Sequence, residues 1–210
     1  MKTRLFSAAK SSARAAVILT LLALTHCGSL LGPSNPPPQI YRLSPGSSLP
    51  PGGLSVPWQL AVGRPDATQT LDTDRIALFR GPAMDYYADA QWNDSAPRLV
   101  QSLLVEAFDK SGRVQSAPRD SASLRADLTL ATELRDFEAQ YDNANGAPLV
   151  VVDIQAKLLD QRGQVIGSLD SRQTARASEN TIASVVMAFD GAMAASLAQI
   201  VAWTLQATPH

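Results

Sequence analysis

Two periodicities, one after the other, most limit what this chain can become. Between residues 125 and 177 apolar side chains recur at every second position in three long runs. Leu128, Leu130, Thr132 and Leu134 line one side of the first run, 125–141, which is expected to bend near Asp136 and Phe137. Val150, Val152, Ile154, Ala156 and Leu158 line one side of the second, 149–159, and the third spans 165–177. A period of two puts alternate side chains on opposite faces of a strand. The connections are short: a turn at 142–148 and Gln161-Arg162-Gly163-Gln164. The three strands therefore form an antiparallel meander. The period then changes. From 179 to 205, Ile182, Val186, Phe189, Met193, Leu197, Ile200 and Thr204 fall on one helical face, with Trp203 beside it. A sheet with one apolar face needs a second layer, and this helix supplies it.

The upstream half reads as shorter pieces of the same design. Strands are expected at 40–43, 58–63 and 75–80, with Gly81-Pro82 turning into a returning arm at 84–87. The stretch 44–57, rich in Pro, Gly and Ser, reads as a loop, and 64–73 as irregular. Asn93, Asp94 and Ser95 offer caps and Pro97 suits a first helical turn. Val100, Leu103, Leu104, Ala107 and Phe108 then recur at helical spacing until Ser111-Gly112 ends the helix. A short strand at 114–117 follows. The expected fold class is α+β: a mostly antiparallel sheet with two main helices packed on it, in two layers.

The last helix carries a second unusual face. Ser184, Met187, Gly191, Ala195, Ala198 and Ala202 lie opposite the sheet-facing stripe, and no charge follows Asp190 within the helix. Helices that face water normally show charge there. Small side chains permit close approach of another backbone, so a homo-oligomer is one expectation, and a contact repeated head to tail closes a ring. A solvent-facing helix, or one covered by the 44–57 loop, is the other.

The chain opens on Lys2, Arg4, Lys10 and Arg14 without an acid, followed by an apolar run at 15–24. That run is too short for a bilayer span, which needs about 20 residues, and fits the core of an export signal. The chain's one cysteine, Cys27, stands just after it. This is the layout of a bacterial lipoprotein signal, in which Cys27 becomes the lipid-attached first residue. Leu24 and Thr25 suit the pattern, whereas His26 occupies a place normally held by Gly, Ala or Ser. An ordinary secretory signal cut elsewhere is the alternative. Residues 28–39 include Pro36-Pro37-Pro38 and read as a stiff tether. The expected organisation is a signal peptide at 1–26, a tether at 27–39 and an α/β domain at 40–210. Gly28 rather than Asp after the cysteine points to the periplasmic face of the outer membrane.

Composition removes several function classes. Formal charge is −1 overall, and the first 26 residues hold four bases and no acid, so the remainder is more acidic still. Nucleic-acid binding wants a basic patch instead. The two histidines are His26 and His210, which leaves the domain without a Ser-His-Asp or Cys-His arrangement and without a His/Cys zinc site. Asp72 with Asp74, or Asp85 with Asp89, reads as solvated loop carboxylates rather than a metal site. The expectation is no enzyme, no cofactor and no metal. Trp58, Tyr86, Tyr87 and Trp92 either line a lipid groove or serve the core and its rim; packing is the commoner fate of aromatics.

Several stretches together resemble the ABC-type transport auxiliary lipoproteins, the group that includes the paraquat-inducible Pqi lipoprotein. They are Tyr41-Arg42-Leu43, Asp72-Thr73-Asp74-Arg75-Ile76-Ala77, the aromatic pair Tyr87 and Trp92, Leu134-Arg135-Asp136-Phe137-Glu138-Ala139, and Ala188-Phe189-Asp190-Gly191-Ala192. The resemblance implies a periplasmic lipoprotein serving an Mce-type system. Its partners would be an Mce membrane protein, an ABC transporter and a phospholipid or similar cargo, with the membrane held through the acyl anchor. The alternative is an assembly or lipid-binding lipoprotein of another envelope machine, such as polysaccharide export or cell-wall synthase activation.

Overall fold

A computed structural model describes residues 37–46, 53–118, 126–143 and 146–207. Among these residues nine strands and two helices follow in the order β1 (Gln39–Tyr41), β2 (Gln59–Val62), β3 (Asp66–Ala67), β4 (Arg75–Arg80), β5 (Ala83–Trp92), α1 (Ala96–Ser111), β6 (Gln115–Pro118), β7 (Leu128–Tyr141), β8 (Leu149–Leu159), β9 (Val165–Arg176) and α2 (Ile182–Thr204). All belong to the unit that runs from Pro38 to the C-terminus. The architecture is the expected two-layer α+β fold, with one mixed and mostly antiparallel sheet.

The 14-residue strand β7 is the spine of the sheet. One of its edges pairs along its whole length with β8, and β8 pairs in turn with β9, both antiparallel. The other edge takes three short strands in succession, all parallel: β2 beside Leu128–Leu130, β3 beside Glu133 and Leu134, β4 beside Glu138–Tyr141. β5 returns antiparallel along β4, and β1 lies parallel to β5 at the rim. At the other end, β6 pairs parallel with β2. The sequence announces the meander but not these parallel pairings, since partners far apart in sequence leave no turn to read. The stretch expected to be irregular thus contains β3. The returning arm expected at 84–87 extends as far as Trp92, because Ala90 and Trp92 point into the core.

β7 bends where expected, and the cause is a β-bulge. Its register against β8 shifts between Leu134 and Asp136. Before the shift the buried positions are even-numbered, Leu128, Leu130, Thr132 and Leu134; after it Phe137, Ala139 and Tyr141 are turned inward. One extra residue, Arg135, flips the side-chain parity while the same face stays on the core.

Both helices pack on that face. α1 buries Leu99, Val100, Leu103, Leu104, Ala107 and Phe108, and Gly112 ends it at φ 63°, a left-handed cap that glycine adopts without a Cβ clash. α2 is long and apolar enough to cross a membrane by length and composition, yet it lies on the sheet and buries Val185, Phe189, Ala192, Met193, Leu197, Ile200, Val201 and Thr204. Ile182 and Val186, expected on the sheet-facing stripe, are only partly buried. Ser184, expected on the outer face, is 6% exposed. Its hydroxyl accepts from those of Ser178 and Thr181, and Thr181 caps the helix by accepting from the Ser184 N–H, which together draw Ser184 inward.

Candidate functional site

The stretches that carry the family resemblance converge in space. Trp92 from β5, Phe137 from β7 and Phe189 from α2 form an aromatic trio, with ring centroids 5.6, 5.1 and 5.0 Å apart. Trp92 and Phe189 meet edge to face, an arrangement favoured by the ring quadrupoles. The stretch 72–77 pins the turn into α1: the carbonyl of Asp74 accepts the Trp92 N–H at 2.6 Å, and that of Thr73 accepts the Ala96 N–H at 2.9 Å. Ser95 sits at the N-cap without a side-chain capping bond, so Thr73 meets one of the needs of that helix end instead. Arg75 lies over the Tyr86 ring at 3.9 Å. Tyr87, Tyr141 and Asn180 form a chain of hydrogen bonds, 2.8 Å at each link, joining β5, the end of β7 and the approach to α2. Burial, and the Tyr141 hydroxyl beside it, push the Tyr87 phenol far above its ordinary range.

The N-terminal approach is fastened by the first and last of these stretches. Leu43 is buried, and Ser44 donates to Asp190 Oδ1 twice, from its backbone N–H at 2.7 Å and from its hydroxyl at 3.3 Å. Asp190 is therefore the residue of α2 that straps down the chain just after β1. Cys27, the expected lipid-attachment residue, lies outside the described residues, as does the 1–26 segment.

The open face of the sheet carries ion pairs. Arg172 bridges Asp136 and Asp153, and these two carboxylates raise its pKa further. Arg135, the bulged residue, pairs with Asp170 and Glu133, and Arg176 with Asp142. Glu138 differs from them all: it is 3% exposed and, among the described residues, pairs with no cation. Its carboxylate accepts the Phe137 N–H at 2.7 Å and Gln140 Nε2 at 3.0 Å. Phe137 lies just beyond the bulge, where the ladder is disrupted, and Glu138 satisfies its amide. Burial pushes the Glu138 carboxyl above the ordinary carboxylate range, the bond from Gln140 pulls it back, and Asp136 raises it again. Sequence reasoning missed this group; the available signal was a glutamate inside a strand flanked by core residues Phe137 and Ala139.

The four aromatics weighed as a groove do not share one. Trp92 is in the core, Tyr87 is tied to Tyr141, and Tyr86 lies under Arg75 with its hydroxyl on the Thr70 carbonyl. Trp58 lines a shallow cavity of about 470 Å³ with Val56, Asp109 and Arg113. Arg113 is itself committed there, donating to the Leu54 carbonyl and accepting the Val56 N–H on its own. Asp72 pairs with Arg64, and no group of three or more His, Cys, Asp or Glu side chains gathers at a metal-binding spacing among the described residues. The outer face of α2 is as apolar as expected: Ala183, Met187, Gly191, Ala195 and Ala202 are exposed and Ala198 partly so.

Fold and side chains together define a two-layer α+β module whose distinctive residues fasten strands, helices and the N-terminal approach to one another. The chain belongs to the ABC-type transport auxiliary lipoprotein component family, whose model matches residues 41–201. An uncharacterized protein of Bradyrhizobium diazoefficiens is 28% identical over 167 residues, 80% of this chain but 45% of that protein, so the chain spans about half the length of that relative. The crystal structure of a Xanthomonas campestris protein of the DUF330 family model is 28% identical, covers 80% of this chain and 94% of that one, and superposes with a TM-score of 0.69. A second crystal structure, of an uncharacterized protein, shares the fold at 17% identity, covering 80% of this chain and 99% of that one with a TM-score of 0.63.

Proposed function

We propose that this chain is a non-catalytic accessory subunit of an Mce/ABC-type system that carries lipid between the two membranes. Residues 1–26 serve as the signal, Cys27 as the acylated anchor, 27–39 as the tether and 40–210 as the domain that meets the transporter from the periplasmic face of the outer membrane. The observation that carries the reading is the family match, which begins at Tyr41, where the proline-rich stretch ends. The strap between Ser44 and Asp190 supports the same division, since it gives a tether a firm point of attachment on the domain. A partner Mce protein and permease supply the transport step, with this chain contributing a binding surface.

Two measurements test the reading. Cys27→Ala is expected to release the chain from the membrane fraction into the soluble periplasm, and mass spectrometry is expected to find a lipid-modified Cys27 at the mature N-terminus of the wild type. An unmodified terminus elsewhere removes the anchor. Affinity purification of the tagged full-length chain after crosslinking in cells is expected to bring down an Mce-domain protein with an ABC permease. Recovery of polysaccharide-export or cell-wall synthase components in their place refutes the transport assignment.

A further inference from the structure

The cavity beside Trp58 holds two opposite charges that do not meet. It lies between residues 55–59, which lead into β2, and residues 112–115, which lead from α1 into β6, with Asp109 of α1 on its wall. Its volume of about 470 Å³ is that of a small-molecule site, roughly 300–1,000 Å³. Among its lining side chains Trp58 and Val114 are buried and Val56 is partly so. Asp109 and Arg113 stand four apart, a spacing at which an acid and a base on one helix face pair. Here the helix stops between them: Gly112 turns left-handed at φ 63° and carries Arg113 off the helical track. Among the described residues the two form no ion pair with each other or with any other side chain.

Each charge is instead held by a neutral group. The Ser116 hydroxyl donates to Asp109 Oδ1 at 2.8 Å, which leaves Oδ2 without a partner among the described residues. Arg113 donates from Nε to the Leu54 carbonyl at 3.2 Å, which leaves both terminal nitrogens of its fork without one among the same residues. Gly53 makes room for that fork: its φ is 130°, and a Cβ on it would lie 2.9 Å from Arg113 Nε. Glycine alone combines that backbone with so close an approach.

The end of α1 adds to the negative side. Gly112 lines the cavity with Asp109, and Lys110, the base of the last helical turn, is paired with Glu106 at 3.0 Å. A helix C-terminus carries partial negative charge and favours a cation. Two opposite charges kept apart, each with unfilled hydrogen-bonding capacity, are the complement of a zwitterion. An ammonium suits Asp109 and the helix end, an oxyanion suits the planar fork of Arg113, and the apolar side chains suit the carbon linker between them. A phosphate diester, larger than a carboxylate, matches the volume.

We propose that this cavity binds a zwitterion in which a primary ammonium and a phosphate are joined by a short carbon linker, with the ammonium at Asp109 and the phosphate on Arg113. A phosphoethanolamine lipid headgroup and a free phosphoethanolamine ester share this chemistry. The site does not rest on the transport reading. The test uses full-length chain carrying Cys27→Ala, the change that removes the expected lipid-attachment residue. Calorimetric titration with glycerophosphoethanolamine is expected to give a Kd on the order of a millimolar or tighter, with ethanolamine or glycerol phosphate alone about tenfold weaker. Asp109→Asn and Arg113→Gln, neither of them at a buried position, are each expected to weaken binding about tenfold with an unchanged thermal midpoint. In NMR spectra the indole N–H of Trp58 is expected to shift during the titration while those of Trp92 and Trp203 stay, which locates the ligand even where a variant fails to fold. Vesicles separate the two sources. Cosedimentation with mixed phosphatidylethanolamine and phosphatidylglycerol vesicles but not with phosphatidylglycerol alone, lost in both variants, makes the ligand a lipid headgroup. Binding of the glycerophosphoester with neither vesicle makes it a free zwitterion. No heat of binding, ethanolamine or glycerol phosphate binding as tightly as the zwitterion, a shift at Trp92 or Trp203 in place of Trp58, or folded variants that bind like wild type overturns the proposal.

Discussion

Glu138 shows how a single carboxylate sits at the junction of geometry and pH. Removing its acceptor oxygens with Glu138→Leu leaves the buried Phe137 N–H without a partner, a loss of about 1–3 kcal/mol. Glu138→Gln keeps an acceptor and so spares most of that bond, but cannot ionise. The folded-state pKa of Glu138 is raised, chiefly by burial. A raised carboxyl pKa means that the folded state holds its proton more tightly than the unfolded chain, whose value is about 4.3. The resulting stabilisation is full below that value and is lost as pH rises through the folded value. Urea unfolding at pH 4 and pH 7 is therefore expected to show a decline for wild type that is smaller in Glu138→Gln. Equal slopes in both proteins would show that Glu138 is not the group responsible.

At the level of elements, α2 does two jobs with opposite faces. One face closes the core, and Asp190 at its margin holds the chain after β1 through Ser44. The Ser44–Asp190 contact is exposed, so solvent screening brings its contribution below that of a buried hydrogen bond to a charged group, to about 1 kcal/mol or less. Asp190→Ala is expected to speed amide exchange at Ser44 while leaving the β7–β8 amides protected, since local openings need not pass through global unfolding. Unchanged exchange at Ser44 would mean that packing of Leu43 alone secures the strap. The periodicity of α2 was legible from sequence, yet the turn of its buried face was not. Ser184 looked like an outer residue until Ser178 and Thr181 supplied hydroxyl partners, and those partners lie in the preceding loop rather than in the helix.

For the molecule as a whole, the aromatic trio joins three segments far apart in the chain, β5, β7 and α2. Phe189 is 0% exposed and contacts both other rings. Phe189→Ala should cost about 3–5 kcal/mol, a large share of the roughly 5–15 kcal/mol by which domains are stable. Thermal or denaturant unfolding checks it. A loss under about 1 kcal/mol would mean that Trp92 and Phe137 repack across the gap.

What the sequence determined by itself is everything that rests on local repetition: the three-strand meander, both helices, the two-layer class, the glycine stop of α1, and the order of stretches by which the family is recognised. Even the bend in β7 showed in the sequence, because a bulge flips the parity of the apolar positions from Leu134 to Phe137. Tertiary structure alone decided the rest. The parallel docking of β2, β3 and β4 on β7, the strap at Asp190 and the bulge amide held by Glu138 all pair groups that periodicity does not link. A long-range partner is chosen by which surfaces remain unsatisfied once the local elements exist, and that choice is made in space rather than along the chain.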